Sequence, residues 1–123
     1  MAKAAPDATI DAYFDYIDQC NIMHVCSGEP ANYAGIAAVS LADVALTPDT
    51  DFTKANGDVS GRKVTVAAKP GVVIDASGTA THVVIARTTD STLRYVTTCT
   101  SQALVAAGTV DIPAFDIEVL DPT

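Results

Sequence analysis

Charge, aromatic rings and cysteine are all scarce in this sequence. Charged residues make up 18% of the 123 residues, whereas a typical domain has about a quarter. Uncharged Thr, Ser and Asn must therefore supply much of the polar surface. Tryptophan, a common platform for stacking a sugar ring, is absent. The three cysteines, Cys20, Cys26 and Cys99, are too few and odd in number, which excludes a disulfide-stapled scaffold.

Long apolar runs are also missing. No segment approaches the roughly 20 consecutive apolar residues that a membrane-spanning helix needs, so membrane insertion is not expected. The first six residues, Met1 to Pro6, lack the apolar stretch of a secretory signal peptide. We therefore expect the protein to be made in a cytoplasm.

Basic residues are outnumbered by acidic ones. Seven Lys and Arg stand against fifteen Asp and Glu, which gives a net charge of −8. A field of this sign repels phosphate, so direct nucleic-acid binding is not expected, and the pair Arg62 and Lys63 is too small for a phosphate-binding patch. The length suits one domain with one core, and we predict a single domain over residues 1–123.

One helix is predicted, over residues 7–20. Its apolar residues recur at helical spacing and form one stripe, which consists of Ile10, Tyr13, Phe14 and Ile17. Asp7 is predicted to be the N-cap residue. The stripe needs a surface to pack on, which is either the protein's own sheet or a neighbouring subunit.

Residues 22–121 are predicted to form a β domain. β-branched residues are frequent, and they alternate with polar ones as in half-buried strands. The predicted strands are residues 22–26, 62–68, 72–75, 80–87, 93–99, 109–112 and 115–119, and residues 39–46 are compatible with a further one. Turn residues separate them at short intervals, as in sandwiches and barrels. We predict a mainly β fold: an antiparallel β-sandwich or small barrel of about seven strands with one N-terminal α-helix.

The connections are predicted from Gly, Pro, Asn, Asp and Ser clusters. Residues 47–50, 56–61 and 88–91 are expected to be turns, and residues 69–71 to interrupt the chain between two strands. Residues 76–79 are predicted to be a hairpin turn, and a helical turn is predicted near residues 32–36. In the strand that follows residue 91, Leu93, Tyr95, Thr97 and Cys99 are expected to share one face.

Histidine and cysteine are the candidates for nucleophilic or zinc chemistry. His82 lies in mid-strand and is expected to point outwards, partly exposed, while Cys26 shares a strand face with His24. The second arrangement is the best available for a cysteine nucleophile. A zinc site would need the three cysteines and a histidine to converge, which no local spacing requires. A bridge between Cys26 and Cys99 or a Cys20 pair between subunits stays open, although a reducing cytoplasm favours free thiols.

Three carboxylates near the middle of the chain are the candidates for calcium. Asp49, Asp51 and Asp58 offer oxygen ligands, but their order is not that of an EF-hand, and Phe52 and Lys54 interrupt them. A solvated loop is the simpler interpretation. We therefore assign no catalytic, cofactor-binding or metal-binding residue and expect no enzymatic activity.

Five segments together resemble a known family. They are residues 11–17 (DAYFDYI), 25–30 (VCSGEP), 57–64 (GDVSGRKV), 76–82 (ASGTATH) and 95–104 (YVTTCTSQAL). They are similar to small structural proteins encoded in the virion gene modules of tailed bacteriophages and prophages, and the resemblance covers most of the chain. It implies a non-enzymatic role in the virion, with other virion proteins and copies of itself as partners, and it transfers no site residue.

Three functions remain to be compared with the structure. The leading hypothesis is a virion structural protein in multiple copies at the collar or neck, tail or head surface. The alternative is a host-receptor or surface-glycan-binding module that uses exposed loops at residues 27–35 and 47–58. A third is a small hydrolase built on Cys26 and His24.

Overall fold

Nine strands and an N-terminal helix account for most of the computed structural model, which describes residues 6–121. Residues 1–5 and 122–123 of the predicted domain lie outside the described residues. The elements are helix α1 (Asp7–Ile17), β1 (Ile22–Cys26), a 3₁₀ turn (Tyr33–Gly35), the one-turn helix α2 (Ile36–Val39), β2 (Ser40–Ala45), β3 (Phe52–Asn56), β4 (Arg62–Val66), β5 (Lys69–Val73), β6 (Gly78–Arg87), β7 (Thr92–Leu104), β8 (Thr109–Ile112) and β9 (Phe115–Val119).

The strands form three antiparallel sheets. The largest has the order β2-β1-β6-β7, the second has the order β3-β4-β9, and the third pairs β5 with β8. A single bridge between Ala42 and Ile74 connects β2 to the end of β5. This arrangement is a small β-sandwich, so the predicted mainly β, antiparallel class with one N-terminal helix is confirmed.

One hydrophobic core holds the sheets together. It takes buried side chains from α1 and from all nine strands, among them Met23, Val64, Val66, Ile85 and Ile117. A second, smaller cluster lies on the other face of the four-stranded sheet, where Ile36 of α2 covers Cys26, Val84 and Ala86. Strand β6 is therefore buried on both faces, because Val83 and Ile85 face the main core while Val84 and Ala86 face the small cluster.

The apolar stripe of helix α1 packs against the protein's own core. Ile10, Phe14 and Ile17 are buried, whereas Tyr13 remains 47% exposed at the edge of the stripe. Packing on the protein's own sheets, one of the two options open from the sequence, is thus what the structure shows. No helix within residues 6–121 is long and apolar enough to cross a bilayer.

Both predicted ends of the helix need correction. The helix ends at Ile17 and not at residue 20, because the next carbonyl, that of Asp18, accepts a hydrogen bond from the N–H of Asp49. Cys20 is buried in the core, and the N–H of Asn21 donates a hydrogen bond to the Ala86 carbonyl of the sheet. A helix that continued to residue 20 could not satisfy both contacts. At the other end, Pro6 occupies the N-cap position and Asp7 is the first helical residue. The Asp7 carboxylate therefore acts on the helix dipole and not as a cap.

The strand count was predicted too low. Strand β3 lies inside the segment that the sequence predicted to be loop, where Phe52 is buried and pairs with Val66 of β4. The predicted break at residues 69–71 is instead the start of β5, which pairs with β8 through an irregularity between Lys69 and Val72. Pro70 is tolerated there because β5 lies at the edge of its sheet.

Two predictions of local geometry were also wrong. Residues 76–79 do not form a hairpin turn, because β5 pairs with β8 and β6 pairs with β1 and β7, so the chain crosses between sheets at this point. In β7 an extra residue, Arg94, separates Leu93 from Tyr95, and the register with β6 shifts there. Leu93 consequently packs on the small cluster while Tyr95 and Cys99 pack against the main core.

Replacing Phe14 with alanine tests the contribution of the helix stripe. The ring is fully buried in the main core, so Phe14→Ala is expected to lower the free energy of unfolding by about 4 kcal/mol through lost burial and a cavity. The control is Tyr13→Ala, whose half-exposed ring contacts Phe14 edge to face with centroids 5.6 Å apart. It is expected to cost about 1 kcal/mol or less. Chemical denaturation measures both, and equal losses would contradict this account of the core.

Candidate functional site

His24, Cys26 and His82 lie on one face of the four-stranded sheet. His24 and Cys26 alternate along β1, and Cys26 is the register partner of His82 on β6. The predicted shared face of His24 and Cys26 is thus confirmed, and the structure adds His82, which is partly buried. This is the same face that carries the small cluster under α2.

The chemistry of this group is not that of a cysteine nucleophile. Burial raises the pKa of the Cys26 thiol to about 11, so almost no thiolate is present at neutral pH. Burial also lowers the pKa of His24, although Asp43 and Asp75 act in the opposite direction. The Nδ1 atom of His24 lies 2.9 Å from the Ser40 hydroxyl, and Nδ1 of His82 lies 2.8 Å from the Thr81 hydroxyl. Both rings therefore have structural hydrogen-bond partners.

All three thiols are free. Cys20 and Cys26 are buried and Cys99 is half-buried. Cys99 packs against the main core, whereas Cys26 belongs to the small cluster on the opposite face of the sheet. Burial raises the pKa of Cys20, like that of Cys26, to about 11. The structure does not bring the three cysteines together.

Two of the three carboxylates considered for calcium, those of Asp51 and Asp58, lie at opposite ends of β3. Asp51 precedes β3, where its carboxylate accepts hydrogen bonds from the Thr47 N–H at 2.6 Å and from the Lys69 ammonium at 2.9 Å. Asp58 follows β3 and pairs with Lys63 at 2.8 Å. The five-residue strand separates them by about 17 Å. Within the described part of the chain no three His, Cys, Asp or Glu residues are close enough to hold a metal ion.

The proximity of two acids, Asp43 and Asp75, was not predicted from the sequence. Asp43, the register partner of His24, lies beside Asp75, although the two are 32 positions apart in the printed sequence. The hydrogen-bonding contact between the two carboxyl groups raises the pKa of Asp75, and both side chains are exposed. Only the β2–β5 bridge at Ala42 and Ile74 brings them together, and nothing in their spacing indicates it.

Basic side chains serve mainly to attach helix α1. Arg62 contacts Asp11 at 3.0 Å, and Lys54 pairs with Asp15 and Asp18. Two further arginines reach the end of the helix. The Arg94 guanidinium donates a hydrogen bond to the Tyr16 carbonyl at 2.7 Å and lies 3.7 Å from the centroid of the Tyr16 ring. Arg87 donates a hydrogen bond to the Gln19 carbonyl.

Asp18 is buried although it carries a charge. Burial raises the pKa of its carboxyl group, and the Lys54 ammonium, 3.2 Å away, opposes that rise. Lys54 therefore compensates a carboxylate that water reaches poorly. The pairing is structural and does not form part of an open site.

The two loops considered for receptor or glycan binding are more ordered than predicted. Residues 27–35 include the 3₁₀ turn, where Tyr33 packs against the small cluster and Pro30 is buried. Residues 47–58 include β3 and the turn that binds Lys69 through Asp51. Neither loop presents a free aromatic face within its described residues.

A concave, mainly apolar region lies between β7 and the β8–β9 connection. Two adjoining hollows of about 220 and 180 Å³ open there, and they share Val83, Cys99, Ile112 and Pro113. Their surface is mainly apolar, β7 adds uncharged Thr and Gln side chains, and the charged residues at their rim are Asp111 and Asp116. Both carboxylates are engaged, since Asp111 accepts the Gly71 N–H and Asp116 accepts the Thr65 hydroxyl. We call this region the β7 cleft.

Strand β7 forms one wall of the cleft and one edge of its sheet. Its thirteen residues pair with β6 on one side, and no strand within residues 6–121 pairs with the other side. Comparisons with models of known protein families, with curated proteins and with solved structures found no match. The candidate site therefore rests on the geometry of this chain, which is an open strand edge beside a mainly apolar cleft.

Thiol labelling tests the chemistry assigned to Cys26. At pH 8 the native protein is expected to react with a thiol reagent at Cys99 first, because Cys20 and Cys26 are fully buried and their pKa values are about 11. Native Cys99→Ser should then label only as fast as the protein unfolds, while all variants label fully in denaturant. Rapid labelling of native Cys26 would contradict this and restore the hydrolase hypothesis.

A substitution at Lys54 tests the buried carboxylate. Lys54→Met is expected to cost about 2 kcal/mol at pH 7, because it leaves Asp18 charged, buried and uncompensated. The pKa of Asp18 is higher in the folded than in the unfolded chain, so the folded state binds this proton more tightly. The cost should therefore shrink as the pH falls from 7 through this raised pKa, and it should be small at pH 3. Urea unfolding at both pH values measures it.

The control for that experiment is Lys63→Met. The Lys63 side chain is 21% exposed, close to the 27% of Lys54, but its partners Asp58 and Asp116 are 70% and 40% exposed. Solvent compensates those carboxylates, so the control is expected to cost much less than Lys54→Met at pH 7, with little dependence on pH. A loss as large as that of Lys54→Met, or a loss in Lys54→Met that does not depend on pH, would overturn the assignment.

Proposed function

We propose that this protein is a non-enzymatic structural component of a bacteriophage virion, present in multiple copies and attached by protein–protein contacts. Its place is the collar or neck, the tail or the surface of the head, and its partners are other virion proteins and copies of itself. The observation that supports this most is the open edge of β7 beside an aliphatic cleft.

The character of the cleft favours a polypeptide over a metabolite. Small-molecule sites combine an apolar wall with a few convergent polar groups that fix the ligand. In the β7 cleft the carboxylates of Asp111 and Asp116 are already engaged within the chain, and the other polar lining residues are the uncharged Thr97, Thr98, Thr100 and Gln102 of β7 itself. An open strand edge next to apolar surface is the arrangement used when one chain adds to the sheet of another.

The distribution of charge is consistent with the same function. Arg62, Lys54 and Arg94 bind helix α1 or its C-cap residue, Arg87 donates to the Gln19 carbonyl just after the helix, and Lys63 and Lys69 pair with acids elsewhere. None of these six cations contributes to a basic surface that would attract phosphate. A net charge of −8 keeps isolated copies soluble before assembly.

Particle composition is the test of this proposal. Particles from induced cells that encode this chain should be purified on a density gradient and analysed by quantitative peptide mass spectrometry. The protein is expected in a fixed multiple-copy ratio to the main head protein, and it should stay with the particles through a salt wash. Its absence from particles would refute the proposal. One or few copies per particle, with binding of the isolated domain to host cells, would instead support the receptor-binding alternative.

A further inference from the structure

We propose that the outer edge of β7 pairs with the same edge of a second copy of this chain, in an antiparallel, two-fold arrangement that continues the four-stranded sheet from one copy into the next. This inference rests on the proposed multi-copy function and identifies its contact surface. The residues concerned are Tyr95 to Leu104, the part of β7 that follows its buried arginine.

Strand β7 differs from the other edge strands of the described sheets in the residues that it carries. Natural edge strands carry charged residues or proline, which discourage other strands from joining them. The other five edge strands all have such residues: Asp43 in β2, Lys54 in β3, Lys69 and Pro70 in β5, Asp111 in β8, and Asp116 and Glu118 in β9. From Tyr95 to Leu104 no residue is charged and none is proline.

The one charged residue of β7, Arg94, does not expose its side chain at the edge of the strand. The Arg94 side chain is only 3% exposed and pairs with Asp90 at 2.7 Å. Its guanidinium also donates to the carbonyl of Tyr16 on helix α1. Arg94 therefore serves the attachment of the helix and does not guard the edge.

A second copy is the partner that best matches a neutral edge. A partner with charged residues would be selected by opposite charges on β7, and there are none beyond Arg94. Elsewhere the chain carries a net charge of −8, so two copies repel each other except where their contact surfaces are free of carboxylates. Two-fold pairing of β7 brings Thr, Ser and Gln side chains against the same set, and cross-strand Thr pairs are favourable.

The geometry of β7 leaves this segment available. Thr98, Thr100, Ser101, Gln102 and Ala103 are all exposed. Between Thr98 and Gln102 the register with β6 shifts, so the three residues Cys99 to Ser101 lie opposite Thr81 alone. This bulge bends the strand next to the β7 cleft, where a neighbouring chain would also cover the exposed Pro113.

Sedimentation equilibrium over a range of protein concentrations provides the test. The wild-type protein is expected to pass from a monomer of 12.7 kDa to a species of twice that mass. The double variant Thr98→Lys/Thr100→Lys places like charges near each other across the two-fold axis, so its dimer dissociation constant should rise about tenfold or more. Slower amide exchange at residues 97–102 at high concentration would locate the contact.

Two further variants keep the test independent of folding. Gln102→Glu changes an exposed amide into a carboxylate of nearly the same shape, and it should weaken the dimer by about threefold. Thr53→Lys makes the matched Thr-to-Lys change at an exposed position of β3, an edge that already carries Lys54, and it should leave the dimer unchanged. Far-ultraviolet circular dichroism and urea unfolding check that each variant is folded.

Three results would overturn the proposal. The first is a wild-type protein that stays monomeric up to its solubility limit, and the second is a dimer that the β7 variants do not weaken. The third is a trimer or larger ring unaffected by those variants, because two β7 edges can join only two copies. That third result would leave the multi-copy virion function standing, whereas absence from purified particles would remove that function and leave β7 dimerisation intact.

Discussion

The burial of helix α1 against the sheets is the interaction on which the rest of the structure depends. Ile10, Phe14 and Ile17 enter a core to which all nine strands contribute, so the helix fills the interior and does not merely decorate it. The helix and its C-cap residue also supply Asp11, Asp15 and Asp18 to basic residues of β3 and β4, and the Tyr16 carbonyl accepts a hydrogen bond from Arg94 of β7. Because those cations are used in this way, the remaining surface is acidic or neutral.

Much of the fold could be predicted, because the alternation of apolar and polar residues and the helical spacing of apolar residues are clear in several elements. Alternation identified β4 and β9, and helical spacing identified the stripe of α1. The failures occurred where tertiary contacts override local signals. Strand β3 has only one buried residue, Phe52, so its sequence resembles that of a loop. The Pro and Gly of β5 indicate a break, but a strand at the edge of a sheet tolerates both residues.

The candidate site was less predictable, and for a related reason. The shared face of His24 and Cys26 followed from alternation, but the cover that raises the thiol pKa comes from α2, a separate part of the chain. Likewise, the absence of charge from residue 95 to residue 104 can be read directly from the sequence. That this neutral stretch forms the edge of a sheet depends on strand order, which the sequence alone does not reveal.

The proposed function depends on β7, which pairs with β6 along one edge and has no partner strand along its other edge in the described chain. The central claim is that copies of this protein join through that edge on a virion. A density map of the intact particle tests it most directly. The account predicts pairs of copies whose four-stranded sheets continue into each other through antiparallel β7 strands. A map in which the copies are present but β7 faces solvent, or pairs with a different protein, would contradict it.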